Sequence, residues 1–268
     1  MPPAPRRNDA EPRRAPRPPI DQRAGYLERA AGPLHSLVFL VPLIVLYEVG
    51  AVLYLSGGTD GQVKTVEAHS ILVALFSAFG PLGGRIPAIA IIVTLIALHV
   101  VRRERTRVRP GVLAGMAVES VAFTLPLLVL SAIIGRLAAA NLQTETGPVD
   151  PATLSPAAAL VVSLGAGLYE EFLFRLVLVA ALARILRDLV GLSSVRAAGA
   201  AIVLSAIAFA WYHEPAVAGI GAVRWDLFVF YTLAGIYFGA LYLARGFGIT
   251  AGAHACYDIV VLVLLPAR

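Results

Sequence analysis

The chain has 268 residues, 58% of them hydrophobic and only 15% charged, and its mean hydropathy is +0.78. A soluble domain of this length needs far more charge to cover its surface, so the composition excludes an ordinary globular protein. The net charge of +5 invites a nucleic-acid reading. The arginines, however, flank apolar segments, so they read as basic loops facing lipid headgroups, and no nucleic-acid partner is expected.

The apolar runs are continuous and do not alternate, which points to helices rather than barrel strands. The expected fold is all-α, a polytopic transmembrane helical bundle of about seven or eight spans. Residues 1–30, beginning "MPPAPRRNDAEPRRAPRPPIDQR", hold almost no large apolar side chains and read as a disordered basic tail, retained on the cytosolic side. Residues 34–145 read as N-terminal transmembrane helices, starting with a span over His35–Leu55. Two apolar pieces follow, "HSILVALFSAFGPLGG" and "RIPAIAIIVTLIALHVV". The basic loop Arg102–Arg109 belongs on the same side as the tail, so one of the two pieces is expected to be re-entrant or interfacial, ending at "GPLGG".

Val112–Leu137 is the next span. The loop after it, "NLQTETGPVDPATLSP", has no Lys or Arg and suits the non-cytosolic side. Residues 156–266 form the C-terminal core. It comprises a long helix over Pro156–Leu186, whose Arg184 and Arg187 suit a cytosolic exit, then Ala197–His213, Leu227–Leu243 and Ile249–Leu265. No internal repeat is evident. This describes an integral multi-pass protein of a bacterial inner membrane with a cytosolic N-terminus. Cys256 is the only cysteine and reads as a small packing residue.

Within the core, "LYEEFLFRLVL" places Glu170, Glu171 and Arg175 inside an apolar run. A charge at bilayer depth costs about 2.5–3.5 kcal/mol or more. Glu171 and Arg175 are four apart on one helix face and can pair, whereas Glu170 points about 100° away and needs a partner on another element. "FAWYH" sets Phe209 and His213 four apart, so the ring can wall the imidazole. "HACYD" does the same for His254 and Asp258, and an acid beside an imidazole can fix its tautomer. Each feature alone has a structural reading: a helix-gluing histidine, a buried ion pair, a packing contact. Three helices each offering acid or imidazole groups to one interior argue for function.

Other polar residues read as structural. Glu48 and His99 lie near segment ends and reach the interface, and His35 and His69 open their segments at the interface. Glu119 reads as a bundle contact, with a channel role as the alternative.

The ordered trio "EEFLFR", "FAWYH" and "HACYD" resembles the CAAX protease and bacteriocin-processing family of intramembrane proteases, also called the Abi or type II CAAX prenyl endopeptidase family. The family pattern is Glu-Glu-x-x-x-Arg, Phe-x-x-x-His, then His-x-x-x-Asn or Asp. The resemblance covers roughly Pro156–Pro266. It implies hydrolysis of peptide bonds in a membrane-embedded or lipid-anchored substrate, by water that Glu170 and His213 activate. Glu170 would be the general base. His254 would stabilise the oxyanion with Asp258 orienting it, and Arg175 would hold Glu171. A metal-free mechanism is the preferred reading, with no cofactor. If a divalent metal such as zinc were present, Glu170, His213 and His254 would be its ligands, although no His-Glu-x-x-His helix exists here. The competing readings are a transporter or proton relay, and a non-catalytic immunity or scaffold relative.

One feature of the spans resists this. His254 lies about six residues, ~9 Å, into its segment and His213 about sixteen, ~24 Å. A shared site requires either different span boundaries or a Gly-rich start, "RGFGITAG", buried in the bundle as a broken helix end.

Overall fold

The computed structural model describes residues 25–55, 86–103, 107–139, 154–213 and 223–265. Residues 1–24 of the basic tail and the apolar piece at 69–84, with His69, lie outside them. The chain forms a helical membrane bundle. Helix α1 covers Tyr26–Ala30 and α2 Pro33–Gly50, which runs on as a π-helical stretch over Ala51–Leu55. Helix α3 is Ile86–Arg102, α4 Pro110–Ala122 and α5 Leu125–Ala139. Helix α6, Pro156–Gly165, continues through π-helical Ala166–Glu170 and Phe172–Val179 into α7, Ala180–Asp188. Helix α8 is Ser194–Tyr212, α9 Trp225–Arg245, and α10 Phe247–Asp258, which ends in a π-helical stretch over Ile259–Leu264.

Five of the described helical runs are long and apolar enough to cross a membrane: Pro33–Leu55, Pro110–Arg136, Ser194–Tyr212, Trp225–Arg245 and Phe247–Leu264; Pro87–Arg102 is a shorter apolar helix. Their outward faces are apolar. Val45, Leu46, Val52, Leu53, Val93, Val118, Val121 and Val129 are all more than half exposed, a surface that water would penalise and lipid tails accept.

Local sequence explains the helix boundaries. Prolines open α2, α4 and α6 at their first turn, where the missing N–H is not needed. Ser155 caps α6, its side chain accepting from the Ala158 N–H at 3.2 Å. The single span read over Val112–Leu137 breaks at Phe123 and Thr124, just ahead of Pro126, whose ring cannot continue the ladder. The Phe123 carbonyl at the break accepts from Tyr237 OH at 2.6 Å, and Thr124 Oγ1 ties the same point to the Ala253 carbonyl at 3.2 Å. Residues 26–30, assigned to the tail by composition, are instead helical. Ala30 is fully buried with Val112, Met116 and Ile249, and the Tyr26 ring lies 5.5 Å from the Arg245 guanidinium.

The centre of the bundle is α10. Every residue from Phe247 to Ala255 is buried, with α2, α4, α6 and α9 packed round it. Two glycines make this placement possible. Gly246 joins α9 to α10 at φ +81, and a Cβ there would meet the Ala31 backbone at 2.8 Å. Both the left-handed conformation and the contact demand glycine. Gly167 lets the helix that bears the glutamates touch α10. A Cβ on it would sit 2.6 Å from the Ala251 carbonyl oxygen and 2.7 Å from the Ala255 nitrogen. Such small-residue contacts are how membrane helices approach closely. Gly167→Ala should destabilise by about 1–3 kcal/mol, since backbone cannot yield as a side chain can. Gly199→Ala, with nothing within 4 Å of the new atom, should unfold at or above the wild-type temperature in detergent. An unchanged midpoint for Gly167→Ala would show that the two helices can separate freely.

Candidate active site

Glu170 ends the first π-helical stretch of the α6–α7 run, Arg175 lies in the second, and Glu171 is the residue between them. Local widening of a helix re-aims side chains and recurs at functional sites. Ser205 of α8 donates to the Phe174 carbonyl at 2.8 Å and ties the widened helix to its neighbour. On the opposite side, the fully buried Tyr169 donates its hydroxyl to Glu48 Oε1 at 2.8 Å. Glu48 was expected to reach the interface. It instead serves as an acceptor for the helix that carries the site, because Tyr169 buries its ring there against Tyr47.

Glu171 and Arg175 pair as their spacing suggests, Arg175 Nη1 lying 2.9 Å from Glu171 Oε1 with both side chains buried. The guanidinium also sits over aromatic faces, its carbon 4.4 Å from the Phe209 centroid and 5.3 Å from that of Phe238. Ring quadrupoles there offset part of the lost hydration. Glu171 has a second partner from α10: His254 Nδ1 lies 2.7 Å from the same Oε1. A carboxylate can only accept here, so Nδ1 carries the proton and Nε2 is turned the other way.

His213 ends α8 and is oriented in a parallel manner. Its Nδ1 lies 2.8 Å from the Phe209 carbonyl. A carbonyl cannot donate, so Nδ1–H is the donor and Nε2 is left to face the interior. The Phe209 ring walls this imidazole at 4.4 Å, and Tyr231 of α9 stacks on it at 4.1 Å. Phe238 of α9 stacks on His254 at 4.6 Å.

Both free nitrogens point at one carboxyl. Glu170 Oε2 is 3.7 Å from His213 Nε2 and 3.8 Å from His254 Nε2. Tyr212 OH approaches Glu170 Oε1 at 3.4 Å. Oε2 is buried without a hydrogen-bond partner among the described residues. Separations just beyond direct hydrogen bonding are those that a water molecule bridges. Asp258 Oδ2 stands 3.6 Å from His254 Nε2, too far for a direct bond. The carboxylate that fixes the His254 tautomer is therefore Glu171, the residue expected only to pair with Arg175.

The structure brings Glu170, Glu171, Arg175, His213, His254 and Asp258 together. The two histidines read at different depths reach one carboxyl, Glu170, and the Phe247–Gly252 start of α10 is buried in the bundle. Residues 152–260 match the family described as type II CAAX prenyl endopeptidase Rce1-like. Over this segment the chain is similar to that family. The match agrees with the resemblance carried by the three motifs and spans less than half of the chain. No curated protein and no solved structure gave a match.

Around the candidate site, Tyr212, Tyr231 and Phe238 escaped the sequence reading. Tyr212 adjoins a flagged histidine, but nothing in an aromatic-rich apolar span marks the Tyr231 and Phe238 rings as imidazole walls. Glu119 is a bundle contact, gripped by Arg245 through two hydrogen bonds of 2.8 Å. His35 opens its helix buried against the basic loop. It is 1% exposed, and its Nε2 lies 3.4 Å from the Arg109 N–H. As metal ligands, Glu170, His213 and His254 present the right atom types. Among the described residues, however, no group of three His, Cys, Asp or Glu side chains is placed to hold a metal ion.

Proposed function

We propose that this protein is an intramembrane endopeptidase that hydrolyses a peptide bond of a membrane-associated protein with water activated by Glu170 and His213. The observation that carries the reading is the convergence of two oriented imidazole nitrogens on the unpartnered Glu170 Oε2. The Rce1-like match supports it independently.

A water held between Glu170 Oε2 and His213 Nε2 gives its proton to the Glu170 carboxylate as its oxygen attacks the scissile carbonyl carbon. The carbonyl oxygen becomes an oxyanion facing His254, which as imidazolium donates Nδ1–H to Glu171 and Nε2–H to the new charge. When the C–N bond breaks, the proton on Glu170 passes to the leaving amine. Water is thereby divided between the new carboxyl and the new amine. Arg175 holds Glu171, Glu171 holds His254, and Tyr212 steadies Glu170. These steps use only the side chains of the chain itself, and the chelation test below decides whether a metal takes part.

The test is cleavage of membrane-embedded fluorogenic peptides by the purified protein in liposomes. Cleavage should proceed undiminished after dialysis against EDTA and 1,10-phenanthroline. Loss of activity on chelation, restored by zinc, would replace the metal-free mechanism. Proton flux without any cleavage would favour a relay protein instead.

A further inference from the structure

The segment that matches the family begins at residue 152, yet one contact to the helix of the two glutamates comes from far upstream. Glu48 lies inside the apolar run Pro33–Leu55, seven residues, about 10 Å, before its end. An ionisable side chain within a membrane span is expensive, and its presence there points to function. Its Oε1 accepts from the Tyr169 hydroxyl at 2.8 Å. The residue after Tyr169 is Glu170, the carboxyl on which both imidazoles converge.

Consecutive side chains on a helix diverge by about 100°. Tyr169 is fully buried and points to α2, its ring edge-on to Tyr47 at 5.0 Å. Glu170 is turned from it, toward His213, His254 and Tyr212. A rotation of this helix that releases Tyr169 from Glu48 therefore also swings Glu170 away from the imidazoles. The stretch needs an outside hold. Tyr169 and Glu170 complete the π-helical turn Ala166–Glu170, and such a widened turn is a rare backbone register. Ser205 anchors the widened helix from α8 through the Phe174 carbonyl, and Glu48 anchors it from α2. Glu48 is itself firmly placed. Two residues further on, α2 meets α6 so closely that a Cβ on Gly50 would collide with the Val161 side chain.

We infer that Glu48 is a positioning residue for Glu170: through the Tyr169 hydroxyl it fixes the rotation of the widened helix, so that the carboxyl faces His213 and His254. The inference rests on the protease reading, in which Glu170 is the general base. It makes α2, outside the matched segment, part of what aims the site.

The test uses the full chain in liposomes with a membrane-embedded fluorogenic peptide, each variant assayed well below its own unfolding midpoint. Tyr169→Phe deletes only the hydroxyl oxygen, and Glu48→Leu removes the acceptor. Each should lower kcat about 10–100-fold, the cost of a small misplacement of a reacting group, with KM unchanged. The double variant should be no slower than the slower single one, because both break the same link. Glu48→Gln keeps an acceptor oxygen and should stay near the wild-type kcat. A merely structural contact would lower the unfolding midpoint and leave the kcat of the folded protein intact. That result overturns the inference and leaves Glu170 in its role. Losses that multiply in the double variant also overturn it, as does Glu48→Gln as slow as Glu48→Leu. Tyr169→Phe keeps the buried ring, so its kcat decides the matter if Glu48→Leu fails to fold. If the wild-type protein cleaves nothing, the protease reading fails and the inference falls with it.

Discussion

Glu170→Gln is expected to lower turnover of a cleaved membrane peptide by about 10²–10⁴-fold, the usual contribution of a positioned general base. The substitution keeps the shape of the side chain and an oxygen that can still accept from Tyr212 OH. It removes only the ability to take a proton from water. KM and the unfolding temperature should therefore stay near wild type, and single-turnover kinetics in liposomes should place the loss in the chemical step. Undiminished turnover would remove Glu170 from the mechanism. A fall in KM effect alone, with kcat intact, would make it a substrate-binding residue. Tyr212→Phe, which removes a long 3.4 Å contact, should cost far less.

Arg175→Leu is expected to have the largest effect on stability. Arg175 and Glu171 are 1% and 0% exposed, so removing the cation leaves a buried carboxylate without its counter-charge. Breaking such a pair from one side costs about 3–5 kcal/mol. In detergent the unfolding midpoint should drop sharply, and His254 should lose its fixed orientation as Glu171 relaxes. Adding Glu171→Gln to Arg175→Leu removes the stranded charge, and leucine suits the surrounding Phe209 and Phe238 rings. The double variant should recover most of the lost stability, because a well-packed neutral replacement is often no worse than the ion pair. Activity should not return with it, since a neutral amide holds the His254 imidazolium less firmly than a carboxylate does. A double variant as unstable as Arg175→Leu would mean that the guanidinium acts through packing rather than charge.

The membrane bundle, the pairing of Glu171 with Arg175 and the set of polar residues that converge in the candidate site were all legible in the sequence. Each follows from rules that act over a few residues: apolar run length, i to i+4 spacing, and the cost of charge among apolar neighbours. What each residue faces was not legible. Spacing offered Asp258 as the partner of His254, yet Glu171, 83 positions away, takes the Nδ1 proton, because the bare backbone at Gly167 lets its helix press against α10. Spacing likewise set the two histidines at different depths, until Gly246 turned the chain and buried the start of α10. The order of Tyr26–Ala30 came from contacts with other helices. Local periodicity determines which stretches become helices and which polar groups need partners. The choice of partner depends on how closely two backbones can approach, and only the folded chain decides that.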